Sequence, residues 1–186
     1  EKNWTHIVDY LNSNCWIMDN IGGQLIAQTD RNSPFKKIVR IDPKNPQESN
    51  WETLIEGTQD QVLSSVNLVG GKFFAHFTQD VLSIWKVYDL DGNFLHNVDL
   101  PGKGIVSGFG GTKNQMITWY TFNNSVNPST IYQYNIKQNI STVYKESEAA
   151  SYKHLTLPTI DPLKIPVVDV SKKHKQRQKQ TQIHTT

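Results

Sequence analysis

The chain has 186 residues, 37% of them hydrophobic and 10% aromatic, and carries 19 basic side chains against 17 acidic ones. These values suit a globular protein with a core, and the short apolar runs exclude a transmembrane helix, so we expect no membrane partner. Residues 151–186 hold seven of the basic side chains and two acidic ones, which leaves the rest of the chain net negative. We therefore expect no nucleic-acid partner for the body of the protein.

The first part of the chain predicts four short strands separated by turn-forming residues. β-Branched and aromatic residues alternate with polar ones there, which is typical of half-buried strands. A polar loop containing Pro43 and Pro46 separates the third strand from the fourth, because proline is excluded from the interior of a sheet. The predicted strands are Cys15–Asp19, Gln24–Thr29, Lys37–Asp42 and Trp51–Ile55.

The next stretch predicts four more strands with sharper turn signals between them. Gly70-Gly71 separates the first two, and Asp91-Gly92 separates the last two. Because both residues of an Asp-Gly pair tolerate positive φ, this pair predicts a hairpin with a type I′ turn. The predicted strands are Val62–Val69, Lys72–Thr78, Val81–Asp89 and Asn93–Leu100.

A third set of four strands follows, and the three sets form a repeat. Its strands are Ile105–Phe109, Gln115–Phe122, Thr130–Ile136 and Ile140–Lys145, at an offset of about 42 to 48 residues from set to set. Repeated four-stranded units of this length indicate propeller blades. We therefore predict an all-β fold, a partial β-propeller of about three four-stranded blades over residues 1–150. Three blades leave two faces uncovered, so we expect the chain to be part of something larger.

The C-terminal residues 151–186 predict a different kind of segment. Three prolines interrupt its first half, and residues 171–186 contain a single apolar side chain among lysines and glutamines. Such a composition cannot build a core, so we predict an irregular, basic and disordered tail. The proline positions are Pro158, Pro162 and Pro166.

Nucleophile and metal motifs are weak in this sequence. Ser107 is the nearest candidate for a nucleophile elbow, but Ile105 replaces the required glycine and a predicted strand follows it. The six histidines are widely spaced, and His76 alternates with apolar residues as a strand residue would. Three aspartates stand in turn contexts, where Asp caps its own backbone: Asp89, Asp91 and Asp99. We assign no catalytic, cofactor-binding or metal residues, and we expect no cofactor.

Cys15 is the one cysteine of the chain, so no disulfide can form within it. Disulfides are rare in reducing compartments. We therefore expect a cytoplasmic protein.

The segment 29–55 resembles the propeller domain of the prolyl oligopeptidase family of serine peptidases. The resemblance is carried by Asp30–Pro34, Ile41–Pro43 and Asn50–Ile55, and it extends through residues 80–101 and 117–136. It implies the last three blades of a seven-bladed propeller that admits short peptides to an α/β-hydrolase domain. That domain, with its Ser-Asp-His triad, would be missing from this chain. The parent protein would cleave short proline-containing peptides after proline, and this fragment would itself be inactive.

Two alternatives stay open, and the tail departs from the family pattern. A non-enzymatic propeller scaffold for protein–protein binding is the first alternative, although the Trp-Asp and Gly-His signatures of such scaffolds are absent. A secreted carbohydrate-binding propeller is the second. Apart from Lys164–Val168, the tail matches nothing in the family. We therefore expect residues from about Ser151 onward to be non-native sequence from a frameshift or assembly error.

Overall fold

The computed structural model describes residues 5–8, 13–125 and 129–146 and contains twelve strands. The first four are β1 (Cys15–Ile21), β2 (Gln24–Thr29), β3 (Lys37–Ile41) and β4 (Glu52–Glu56), with a short 3-10 turn at Glu48–Asn50. The next four are β5 (Val62–Val69), β6 (Lys72–Gln79), β7 (Leu82–Tyr88) and β8 (Phe94–Asn97). The last four are β9 (Ile105–Gly110), β10 (Ile117–Asn123), β11 (Thr130–Asn135) and β12 (Ile140–Glu146).

The strands form three antiparallel sheets of four, each paired in chain order. This confirms the all-β fold of four-stranded units, which we call the first, second and third blades. No described residue belongs to a helix long and apolar enough to cross a membrane. The predicted disorder of residues 151–186 concerns positions outside the described residues.

The turns within the blades are set by residues that accept positive φ. Both Gly70 (59°) and Gly71 (68°) do so between β5 and β6, which gives the tight connection expected of a type I′ hairpin. The type I′ turn predicted at Asp91-Gly92 is wrong, because φ is positive at Gly92 (82°) and not at Asp91. There the five residues 89–93 form a wider loop, in which Asp89 Oδ1 accepts the backbone N–H groups of Asp91 (2.9 Å) and Asn93 (2.8 Å).

The first junction, between the first and second blades, has a mainly aliphatic core that also contains two phenylalanine rings, and a polar lock lies beside it. Its core joins Ile26, Ile38 and Ile55 to Leu63 and the inward face of β6. The lock is Arg40, whose guanidinium is 3.0 Å from Asp91 Oδ1 and 2.9 Å from Glu52 Oε2. The loop that carries Asp91 is pressed so closely on the first blade that a Cβ at Gly92 would lie 2.4 Å from the Leu54 carbonyl oxygen.

The second junction, between the second and third blades, is aromatic. Phe74, Trp85, Phe109, Tyr120 and Tyr134 pack there, and all are at most 2% exposed. The alternation along β6 explains how one strand serves both junctions: Phe73 and Phe77 face the first, whereas Phe74 faces the second.

The third blade has a face that no described residue covers. Ile105, Trp119 and Ile140 lie on it, and they are 62%, 43% and 54% exposed. The cross-strand pairs Asn123 with Ile105 and Trp119 with Gln133 place these side chains opposite to the buried Tyr120 and Phe122. This open face is where a further blade would pack in a propeller.

Candidate functional surface at the inner strands

The first strands of the three blades, β1, β5 and β9, converge, and we call them the inner strands. Among the described residues, each pairs with only one strand of its own sheet, so each presents a free edge. Residues of all three line one groove of about 290 Å³, among them Met18, Asn67 and Gly110. Propellers enclose a channel around their axis, and in a complete propeller these strands would form part of its wall.

The loops that end the inner strands interlock. The Gly70 N–H donates to the Thr112 carbonyl oxygen (3.0 Å), and Asn67 Nδ2 donates to the Gly108 carbonyl oxygen (2.9 Å). Lys113 then reaches across the second blade to Asp19, with Nζ 2.6 Å from Oδ1. The third blade is therefore tied to both others at this end of the wall.

The Asp19–Lys113 pair shifts the titration of its carboxylate. Burial alone would raise the pKa of Asp19, but hydrogen bonds from Lys113 and from the Asn20 backbone N–H hold it below its ordinary value. The carboxylate therefore stays ionised at neutral pH and keeps the lysine in place.

Trp16 is the largest apolar side chain that the inner strands expose, at 73%. It lies in β1 opposite Gln28 of β2 and borders the groove of about 290 Å³. A second groove of about 230 Å³ lies on its other side and is lined by Gln28, Ser64 and others. The wall thus carries an exposed indole between two recesses.

His76 and Ser83 form a serine–histidine contact. His76 Nε2 is 3.0 Å from Ser83 Oγ, and the imidazole stacks on Trp85 with the centroids 4.8 Å apart. Burial lowers the pKa of His76, so the ring is neutral at pH 7. The same Ser83 Oγ accepts the Val106 backbone N–H at 3.0 Å. This hydroxyl ties the second blade to the third.

Within the described part of the chain, that contact lacks the orienting acid of a nucleophilic site. Among the described residues, no acidic side chain hydrogen-bonds His76 to orient it. The role that the contacts support is structural.

The structure does not bring the other residues considered in the sequence analysis together into one site. Ser107 is exposed in β9 opposite Thr121, and strand β10 follows it. Asp89 caps its own loop as expected, whereas Asp91 pairs with Arg40 of the neighbouring blade. Asp99 is exposed. No group of three His, Cys, Asp or Glu side chains within the described part of the chain could hold a metal ion.

Residues 1–147 match the profile described as "Prolyl oligopeptidase, N-terminal beta-propeller domain". The chain belongs to the prolyl oligopeptidase family. It is similar to the prolyl endopeptidase of Elizabethkingia miricola, with 32% identity over 173 residues that make up 90% of this chain and 24% of the relative. It is also 34% identical to the prolyl endopeptidase of Elizabethkingia meningoseptica over 140 residues, 75% of this chain and 20% of that enzyme.

Solved structures of the family share the fold. A prolyl endopeptidase structure superposes with a TM-score of 0.70 at 23% identity, covering 75% of this chain and 20% of that one. Prolyl oligopeptidase B from Galerina marginata, bound to a 25mer macrocyclization substrate, gives a TM-score of 0.68 at 20% identity, covering 77% of this chain and 20% of that one. The chain thus spans about a fifth to a quarter of the length of the proteins that it matches.

Proposed function

We propose that this chain is part of the propeller of a serine endopeptidase that cleaves short peptides after proline. The observation that carries the proposal is the match of residues 1–147 to the propeller domain of the family. The relatives named prolyl endopeptidase are four to five times longer than the matched segment, which leaves room for a hydrolase domain. In this proposal the triad lies on that domain, and the chain by itself does not cleave peptides.

The role of the chain would be to form a wall that admits short peptides and excludes folded proteins. Two features support this role. The buried junctions make the three blades one packed unit, and interlocked loops connect the three blades beside the inner strands. In the proposed parent, the propeller comprises seven blades, of which these are the last three.

The test compares the chain alone with the same chain extended through its downstream reading frame. Both proteins are assayed with succinyl-Gly-Pro-p-nitroanilide. We expect no release of nitroaniline by the chain and turnover by the extended protein, with loss of turnover when the serine of its G-x-S-x-G motif is changed to alanine. An extended reading frame without a hydrolase domain would contradict the proposal and favour a scaffold that binds other proteins.

We further propose a cytoplasmic location. The chain has one cysteine, Cys15, and gains nothing from an oxidising compartment. Fractionation of cells with an antibody against residues 13–125 tests this proposal. Recovery of the protein outside the cell would contradict it.

A further inference from the structure

Trp16 is exposed although both of its neighbouring elements are present. In its own blade β1 is paired with β2, and β5 of the second blade lines the grooves on either side of the indole. The exposure of Trp119 has a different origin, since that residue lies on the open face of the third blade. The indole of Trp16 therefore lies on the face of the first blade that meets the second blade, and not on a face where a further blade would pack.

Hydrogen-bond acceptors lie in the grooves beside this indole. The Gln28 side chain donates through Nε2 to the Ser64 carbonyl oxygen (3.4 Å), and Asn67 donates through Nδ2 to Gly108. Within the described residues, the side-chain oxygens of Gln28 and Asn67 accept no hydrogen bond. Strand β1 pairs with β2 alone in the described part of the chain, so its other edge also keeps backbone groups for a ligand.

We propose that Trp16 and its two grooves bind an extended peptide that contains proline. A pyrrolidine ring would lie on the indole, while peptide N–H groups would donate to Gln28, Asn67 and the free edge of β1. Proline-containing segments suit such a surface, because they are already extended and dock on aromatic side chains at low entropic cost. The inference rests on the proposed function, since the ligand belongs to the proposed class of substrate.

The charge of the grooves favours a peptide over a nucleic acid. Two carboxylates border them, and each has a lysine nearby: Asp19 with Lys113, and Asp30 with Lys36. The grooves therefore lack the net positive charge that a phosphate backbone requires.

The test uses the full chain labelled with 5-fluorotryptophan and observed by fluorine NMR. Trp16→Phe and Trp119→Phe assign the two indoles that are exposed among the described residues. The ligand is an acetylated and amidated Ala-Pro repeat of eight residues, and the comparison ligand is a Gly-Ser repeat of the same length. We expect the Trp16 resonance to shift saturably with the Ala-Pro peptide while the Trp119 resonance stays in place.

Binding affinity supplies the second readout. We expect Trp16→Ala to weaken binding of the Ala-Pro peptide about tenfold and the matched control Trp119→Ala to leave it unchanged. Equal shifts of both indoles, equal shifts with the Gly-Ser peptide, or no shift at all would overturn the proposal. A shift of Trp16 by maltotriose in place of the peptide would also overturn it. Fluorine resonances that all coincide at the random-coil position would overturn the proposal as well, because the grooves exist only when the inner strands are assembled.

The proposed function is tested by observations that are separate from the binding experiment. It is tested by the downstream reading frame and by cleavage after proline. A chain without a hydrolase domain that still binds the Ala-Pro peptide at Trp16 would refute the peptidase proposal alone, and an active extended protein without this binding would refute the Trp16 proposal alone.

Discussion

The two junctions join blades of the same topology with different chemistry. The first packs mainly aliphatic side chains around the rings of Phe73 and Phe77, and it adds a lock of charged groups around Arg40, 16% exposed. The second stacks rings, with Phe109 in contact with four other aromatic side chains. The repeat therefore fixes the shape of a blade while leaving the contacts between blades to individual residues.

The difference also appears in the ionisable groups of the two junctions. At the first, Arg40 pairs with the carboxylates of Glu52 and Asp91. At the second, burial, followed by the nearby Asp99 charge, raises the pKa of Tyr134 to about 12, which keeps that phenol neutral. We expect the second junction to resist salt and the first to respond to it.

Phe109→Ala should give the largest loss of stability. The ring is fully buried and lies 4.6 Å from Trp85 and 4.7 Å from Tyr120 between centroids. Its removal leaves a cavity in the second junction and should cost about 3–5 kcal/mol of unfolding free energy, measured with urea. The control Phe94→Ala removes a ring that is 54% exposed and should cost less than about 1 kcal/mol. If both variants lose the same unfolding free energy, Phe109 is not central to the packing of the second junction.

Gly92→Ala tests how closely the loop at the first junction is docked. The new Cβ would meet the Leu54 carbonyl oxygen at 2.4 Å, and φ at this position is +82°. We expect a loss of roughly 2–4 kcal/mol from the clash and the left-handed backbone together.

Gly23→Ala is the matched control for Gly92→Ala. Its φ is +85°, but no atom lies within 4 Å of the added Cβ. It should cost only the backbone term of about 1–2 kcal/mol. If the two variants lose the same unfolding free energy, the loop is not docked as described.

Arg40→Met removes the charged lock and keeps much of the side-chain volume. Asp91, Glu52 and the Leu90 carbonyl oxygen lose their donor. The unfolding free energy should fall by about 1–3 kcal/mol. The difference in unfolding free energy between the variant and the unsubstituted chain should shrink in high salt. A difference that is independent of salt would indicate that Arg40 acts through packing alone.

His76 should give a smaller, pH-dependent effect. Burial lowers the pKa of His76 in the folded chain, so the unfolded chain takes up the proton first as the pH falls. The stability that the neutral His76 contributes is fully present above the pKa of histidine in the unfolded chain, about 6.5. It is lost as the pH falls from there toward the lowered pKa of the folded chain.

The pH dependence is measured as the unfolding free energy between pH 7.5 and 5. This range starts above the pKa of histidine in the unfolded chain. As the pH falls, the unsubstituted chain should lose stability more steeply than the His76→Gln variant. A parallel slope in both chains would show that His76 does not carry the effect.

Local patterns predicted the strands well because they depend on neighbouring residues. Gly70-Gly71 and the period-two alternation along β6 place that hairpin without any knowledge of the rest of the fold. The loop at Asp91-Gly92 was predicted with the wrong turn type, because its conformation depends on docking against Leu54, which lies far away in the sequence.

The exposed Trp16 and its two grooves could not be predicted for a related reason. Trp16 stands between Cys15 and Ile17, so its sequence context is that of a core residue. A register shift between Ile17 and Asp19 interrupts the alternation of β1. The grooves on either side of the indole need β2 and β5 to be assembled, and no pattern within β1 encodes that assembly.

Hydrogen exchange of the full chain, followed by mass spectrometry of pepsin fragments, tests most directly the claim that the stability of this chain lies in its two junctions. The second blade takes part in both, whereas the third has an open face. We predict that amides of β6 exchange slowest and amides of β12 fastest, since local opening follows the packing around each strand. Protection in β12 equal to that in β6 would contradict this account.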